Sequence, residues 1–197
     1  MNMRLADKIQ SIFYINRLKK IDRIKGHLGL NEGFLLFKIA KSLSENSVIV
    51  EIGSFKGKST CFIAEGIGNK KMQLICIDPW KDNLMQEKGD VIFNEFTQNT
   101  KKYRDKFSIL RGFSYEVIKE WPIQRKIDFL WIDGDHSYEG VKKDIFNWIP
   151  LVKERSFICF HDYRDAPGVK KAVDELVAEN KIKFIKTEGC IYVSRLA

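Results

Sequence analysis

The chain lacks any apolar run near the roughly 20 residues that a membrane-spanning helix needs, so no such span is expected. It has only four cysteines, Cys61, Cys76, Cys159 and Cys190, and no two of them form a C-x-x-C pair. That excludes the usual spacing of zinc and thiol-redox sites. Cys76, Cys159 and Cys190 lie in apolar, strand-like runs, where a free thiol acts as a small hydrophobe. There is no internal repeat, low-complexity tract or linker, which predicts a single globular unit. Residues Met1 to Gln10 are mixed and charged, unlike a secretory signal, so the expected location is cytoplasmic.

What is present is an ordinary soluble composition. The 197 residues are 44% hydrophobic and 30% charged, enough for one domain with its own core. The net charge is +8 and unevenly placed: residues 1–30 carry seven basic side chains against two acidic ones, a local +5. The simplest reading is a solvated helix face. The sharper one is docking to an acidic surface. No nucleic-acid motif accompanies the charge, so no nucleic-acid partner is expected. The apolar face of the same helix makes a homodimer contact an open expectation.

Apolar residues recur at helical spacing over 5–24 and again over 31–43, which predicts two helices. The pattern then changes. Short β-branched runs at 48–52, 73–77, 107–110, 127–132 and 156–160 read as buried strands. Helical stretches at 58–67, 91–104, 114–120, 138–149 and 167–179 fall between and after them. Residues 182–187 and 190–194 read as two last strands joined across Glu188-Gly189. The expected fold class is therefore α/β: a Rossmann-like, mostly parallel seven-stranded sheet, helices on both faces, and an antiparallel terminal hairpin. Residues 1–45 are expected to form a helical cap on a domain spanning 46–197.

Open α/β sheets bind ligands beyond the carboxyl ends of their strands. Those ends carry Glu51 to Gly57, Asp78 to Trp80, Gly112 to Ser114, Asp133 to His136, and His161 to Tyr163. In the first, Gly53 and Gly57 permit a tight turn, and the helix that follows offers free N–H groups to anionic ligand atoms. Asp78 ends the second strand, where a carboxylate can accept hydrogen bonds from two ribose hydroxyls. Together they point to an adenosine-containing ligand.

Two other nucleotide motifs overlap this one. Gly53-Ser54-Phe55-Lys56-Gly57-Lys58-Ser59 nearly spells the phosphate loop of nucleotide triphosphatases, with three residues between the glycines instead of four. The dinucleotide pattern G-x-G-x-x-G is absent. A triphosphatase sensitive to Lys58, and a non-catalytic module that binds an adenosine ligand, both stay open on the residues alone.

The run Val48 to Gly57 resembles the first motif of class I S-adenosylmethionine-dependent methyltransferases, and Ile75 to Trp80 resembles their second. Trp131-Ile132-Asp133-Gly134-Asp135-His136-Ser137-Tyr138-Glu139-Gly140-Val141, His161-Asp162-Tyr163 and Pro167 to Val173 are similar to a branch of small-molecule and sugar O-methyltransferases. The resemblance covers roughly residues 45–195. It implies S-adenosylmethionine as cofactor and a hydroxyl of a small molecule, such as a sugar or glycan, as acceptor. By this likeness Glu51, Gly53, Ser54 and Gly57 belong to the loop against the methionine end, Asp78 holds the ribose, Trp80 flanks the adenine, and Gly112, Phe113 and Ser114 contact its ring, with Asp133 nearby.

Metal-dependent relatives hold a divalent cation, magnesium or manganese, on the first acid after strand four and a pair after strand five. Here those positions are Asp133, His161 and Asp162. The departure is His161, because imidazole suits manganese, iron or zinc better than magnesium. Asp135 is the general base by similarity. His136 can do the same work near neutral pH without a metal. The plainer reading is that Asp133, Asp135, Ser137 and Asp162 cap strand ends and helix starts. Tyr14, Arg17 and His27 are substrate contacts if the cap closes over the site.

Overall fold

A computed structural model describes residues 14–81, 87–122 and 124–197. The predicted first helix appears as α1 over 14–21; its earlier half lies outside the described residues. Then come α2 (Leu30–Ser42), β1 (Val48–Ile52), α3 (Lys58–Ile67), β2 (Gln73–Asp78), α4 (Gly89–Thr100), β3 (Phe107–Arg111), α5 (Ser114–Val117), β4 (Ile127–Ile132), α6 (Tyr138–Trp148), β5 (Val152–Phe160), α7 (Pro167–Ala178), β6 (Ile182–Glu188) and β7 (Ile191–Leu196).

The seven strands form one sheet in the order β3-β2-β1-β4-β5-β7-β6. β1 pairs in parallel with both β2 and β4, and β7 runs antiparallel to β5 and β6. The fold class expected from the sequence is the one observed. Every residue of β1 is buried, because helices cover both faces of the sheet. Alternation along the strands sorts their side chains between two cores. Ile49, Leu74, Phe129 and Trp131 pack with α1, α2, α3 and α4. Val50, Ile75, Leu130, Ile158 and Phe160 pack with α6 and α7. The cap helices thus share a core with the sheet. α2 crosses α3 at close range, and a Cβ on Gly33 would lie 2.3 Å from the Phe62 ring.

Local chemistry explains most element ends. Gly68, at φ +60°, closes α3, and Pro167 sits in the first turn of α7. Ser137 caps α6 by accepting from the Gly140 N–H at 3.1 Å. The main departure from expectation is β5, which starts at Val152 rather than Ser156. Its early part, Lys153-Glu154-Arg155, is exposed and charged, and Arg155 has φ +60°. Pairing with β4 shifts register there, so the hydrophobic signal begins only after the irregularity.

β1 is flanked by β2 and β4, which lead away in opposite directions. The topological switch point, where α/β sheets open a crevice, therefore lies beyond the carboxyl ends of β1 and β4.

Candidate active site

The loop after β1 is built around Glu51. This carboxylate is fully buried and accepts from Ser59 Oγ at 2.6 Å, Ser54 Oγ at 2.8 Å and Thr60 Oγ1 at 2.5 Å. Burial raises its pKa, and the three hydroxyls pull it back only in part. Glu51 thus ties the loop to the first turn of α3. Gly53 sits at φ +89°, and a Cβ there would lie 1.9 Å from the carbonyl oxygen of Asp133. Only glycine lets the β1 loop and the β4 loop close on each other. Gly57, also at positive φ, begins α3.

Asp78 clasps the same loop from β2. Its Oδ2 accepts from the Phe55 N–H at 2.8 Å, and its Oδ1 from the Trp80 N–H at 2.7 Å. Each carboxylate oxygen has two acceptor positions, so each has capacity for one more donor. Burial raises the Asp78 pKa against these two bonds, and the charge of Asp133 adds to the rise.

The structure puts Trp80 elsewhere than its neighbours in sequence suggested. It is 2% exposed, its indole N–H donates to the Phe55 carbonyl at 2.8 Å, and its ring packs on Phe93 and Phe96 of α4. It braces the loop from behind. Lys56 does similar work: its buried ammonium meets Glu87 at 2.8 Å and Glu95 at 3.2 Å.

After β3, the Gly112 N–H donates to the Asp78 carbonyl at 3.0 Å, which joins this loop to the end of β2. The Phe113 ring stacks on Tyr115 at 5.2 Å and carries the Lys81 ammonium at 4.5 Å. Ser114 donates to Asp144, a buried acid of α6 that the sequence did not single out. Burial pushes Asp144 up to about 6, with Asp135 adding to the rise.

The ends of β4 and β5 bring the acids and histidines together. His161 is 3% exposed, and its Nδ1 lies 3.1 Å from Asp133 Oδ1 and 3.2 Å from Asp162 Oδ1. His136 is half-exposed, with Nε2 at 3.2 Å from Asp162 Oδ2 and 3.6 Å from Asp133 Oδ1. Asp133, His136 and Asp162 each offer a ligand atom within 4.8 Å of the others. Burial alone would depress His161, but hydrogen bonds to Asp133 and Asp162 and the nearby Glu32 outweigh it and hold the imidazole far above its ordinary value. His136 is raised first by its contact with Asp133.

Asp135 lies apart from this group. Its Oδ1 accepts from the Ser137 N–H at 2.8 Å, and its carboxylate packs over Gly140 at the start of α6. The predicted catalytic pair is therefore split: His136 faces the acids, and Asp135 faces the helix.

Glu32 of α2 also reaches this cluster, with Oε2 at 3.6 Å from His161 Nε2. Its one sequence signal is its position three residues after Gly29, the reciprocal half of a capping box. Tyr14 and Arg17 lie away from the cluster: Tyr14 packs on Phe37, and Arg17 pairs with Glu65 at 2.8 Å. Lys58, the critical residue of a phosphate-loop reading, pairs with Asp22 of the cap at 3.0 Å.

Residues 50–163 match the family model described as a methyltransferase domain, which takes in more than half of the chain and every strand end described above except that of β7 and β6. The chain belongs to the methyltransferase-domain family. Protein R132 of Acanthamoeba polyphaga mimivirus is 34% identical over 144 residues, 66% of this chain and 59% of that protein. Protein y4gI of Sinorhizobium fredii is 32% identical over 117 residues, 58% of this chain and 13% of that protein. This methyltransferase-domain chain therefore spans about three fifths of one curated relative and about an eighth of the other.

Among solved structures, the O-methyltransferase TomG of Streptomyces achromogenes, in complex with S-adenosylmethionine, superposes with a TM-score of 0.67. It is 14% identical and covers 99% of both chains. A Bacillus cereus O-methyltransferase in complex with S-adenosylhomocysteine gives 0.61, at 14% identity over 97% of this chain and 91% of that one. The fold is that of the Rossmann-like methyltransferases. No helix among the described residues is long and apolar enough to cross a membrane.

Proposed function

We propose that the protein transfers a methyl group from S-adenosylmethionine to a hydroxyl of a small molecule, with a sugar or glycan as the favoured acceptor class. Asp78 carries this reading. Its two oxygens hold the glycine loop through backbone N–H groups and keep acceptor capacity for the two hydroxyls of a ribose. The family match and the cofactor-bound relatives support it. In this reading Gly53, Ser54 and Gly57 shape the cradle for the methionine end, with Glu51 fixing them from beneath. Gly112, Phe113 and Ser114 border the adenine.

S-adenosylmethionine, when bound, supplies an electrophilic methyl on a sulfonium. The acceptor oxygen forms the new C–O bond as the C–S bond breaks and its electron pair stays on sulfur. The chain must align that oxygen and remove its proton. His136 suits the second task, because Nε2 stands at the mouth of the acid cluster and half of the side chain is exposed. Asp133 and Asp162 orient His136, and Asp135 holds the Ser137 N–H between His136 and the start of α6.

The alternative is a divalent cation, which fits the donor set of Asp133, Asp162 and the imidazoles of His136 and His161; His136 bound to it would no longer take the proton. Two close carboxylates favour a cation between them, and the nitrogen donors favour manganese, iron or zinc. Such an ion would lower the pKa of a bound hydroxyl. We also read residues 1–45 as a cap that walls the acceptor side of the site, with His27 near it, and the protein as acting in the cytoplasm.

The test is calorimetric titration with S-adenosylmethionine and, separately, with ATP and magnesium, on the wild type and Asp78→Ala. Binding of S-adenosylmethionine alone, weakened at least tenfold in Asp78→Ala, is the expected result. ATP binding without S-adenosylmethionine binding would overturn the reading.

A further inference from the structure

We propose that Glu32, on helix α2 of the cap, is a positioning residue for the centre formed by Asp133, His161 and Asp162: it holds the far nitrogen of His161, so that Nδ1 stays aimed at the two aspartates. The inference rests on reading that centre as a cation site.

The geometry leaves Glu32 little freedom. Oε2 accepts from the Gly29 N–H at 2.7 Å, and Oε1 accepts from the Cys190 N–H at 2.6 Å in the turn between β6 and β7. That turn is shaped to admit the carboxylate. Gly189 has φ +58°, and a Cβ there would lie 2.3 Å from Oε1. Two backbone donors from distant parts of the chain thus fix one buried carboxylate. Oε2 then faces His161 Nε2 at 3.6 Å, an ion-pair distance too long for a hydrogen bond. His161 Nε2 is buried and has no hydrogen-bond partner among the described residues. The ring also meets Trp131 edge-on at 5.6 Å, which limits its rotation.

Helix capping alone does not account for this arrangement. A cap explains the bond to Gly29 but neither the bond to Cys190 nor the approach to a buried imidazole. An imidazole that gives one nitrogen to a cation carries its proton on the other, and a carboxylate behind that proton fixes the tautomer and the ring. Glu32 stands where such a carboxylate is needed. The cap would then govern the centre from outside the sheet.

The experiment titrates Mn2+ into the wild type, Glu32→Gln and Glu32→Ala, with S-adenosylmethionine titrated in parallel and melting temperatures recorded. Leu36→Ala, a fully buried apolar position of the same helix, serves as a control for loss of stability. The expected result is Mn2+ binding weakened about 10- to 100-fold in Glu32→Ala, less in Glu32→Gln, and unchanged in Leu36→Ala. If Glu32→Ala does not fold, the near-isosteric Glu32→Gln decides. Mn2+ affinity within twofold of wild type in the folded Glu32 variants would overturn the inference, as would an equal loss in Leu36→Ala. A wild type that binds S-adenosylmethionine but no Mn2+ overturns it together with the cation site, and leaves methyl transfer standing. A wild type that binds neither overturns the functional reading as well.

Discussion

Asp144 is expected to destabilise the protein at neutral pH. Its side chain is buried in α6, and burial raises the carboxyl from an ordinary 3.8 to about 6. The folded state therefore keeps a proton between these values that the unfolded chain has lost. Stability falls as pH rises through that window and levels off above it. About two pKa units at 1.36 kcal/mol each correspond to roughly 3 kcal/mol of strain from the buried charge at pH 7.5. Asp144→Asn removes the charge and keeps an oxygen to accept from Ser114. A neutral hydrogen bond replaces a charge-assisted one, at a cost of about 1 kcal/mol. The variant is expected to be more stable than wild type by about 1 to 3 kcal/mol at pH 7.5, and equal or less stable at pH 4. Urea unfolding at half-unit steps from pH 4 to 8 measures this, with the m-value held constant. A variant less stable than wild type at pH 7.5, or a wild-type curve flat between pH 4 and 6, would refute the reasoning.

Gly53→Ala is expected to cost several kcal/mol, since both the positive φ and the 1.9 Å approach to Asp133 oppose a Cβ; denaturation and S-adenosylmethionine titration should both show the loss. His136→Ala is expected to lower kcat about 10²- to 10⁴-fold while cofactor affinity stays within twofold, because its contacts are to Asp133 and Asp162 rather than to the glycine loop. Lys58→Ala is expected to leave S-adenosylmethionine binding intact in calorimetry, because its ammonium is committed to Asp22.

The central strands β1, β2 and β4 were legible because they are buried on both faces. Val48 to Ile52 and Ile127 to Ile132 appear as apolar runs interrupted only by Glu51 and Asp128, where a half-exposed strand would alternate. β5 was legible only in its buried half, since its early residues face solvent and carry charge. The acids Asp78, Asp133 and Asp162 were legible for a topological reason: each lies at the carboxyl end of a parallel strand or within two residues of it, and such positions converge on one rim. Trp80 shows where that rule stops. A residue two places after a strand can turn either way, and at φ +42° Trp80 turns its ring into the α4 core.

Glu32 and Asp144 mark the other limit. Both are buried acids on helices, at positions where sequence alone reads a charged residue as solvated or as a cap. Only the packing reveals their partners, Cys190 and His161 for one, Ser114 for the other. They share a logic that strand ends cannot supply. Residues at the rim set which groups meet. Acids reaching in from the helices decide how those groups are held: Asp144 on the side of Ser114, Glu32 on the side of His161. A helix-borne carboxylate buried against a strand-end loop is stable only if that loop offers donors, so each such acid also fixes its loop's shape. The Asp144 stability curve and the Glu32 manganese titration probe the two sides of the site independently, since the two acids share no partner.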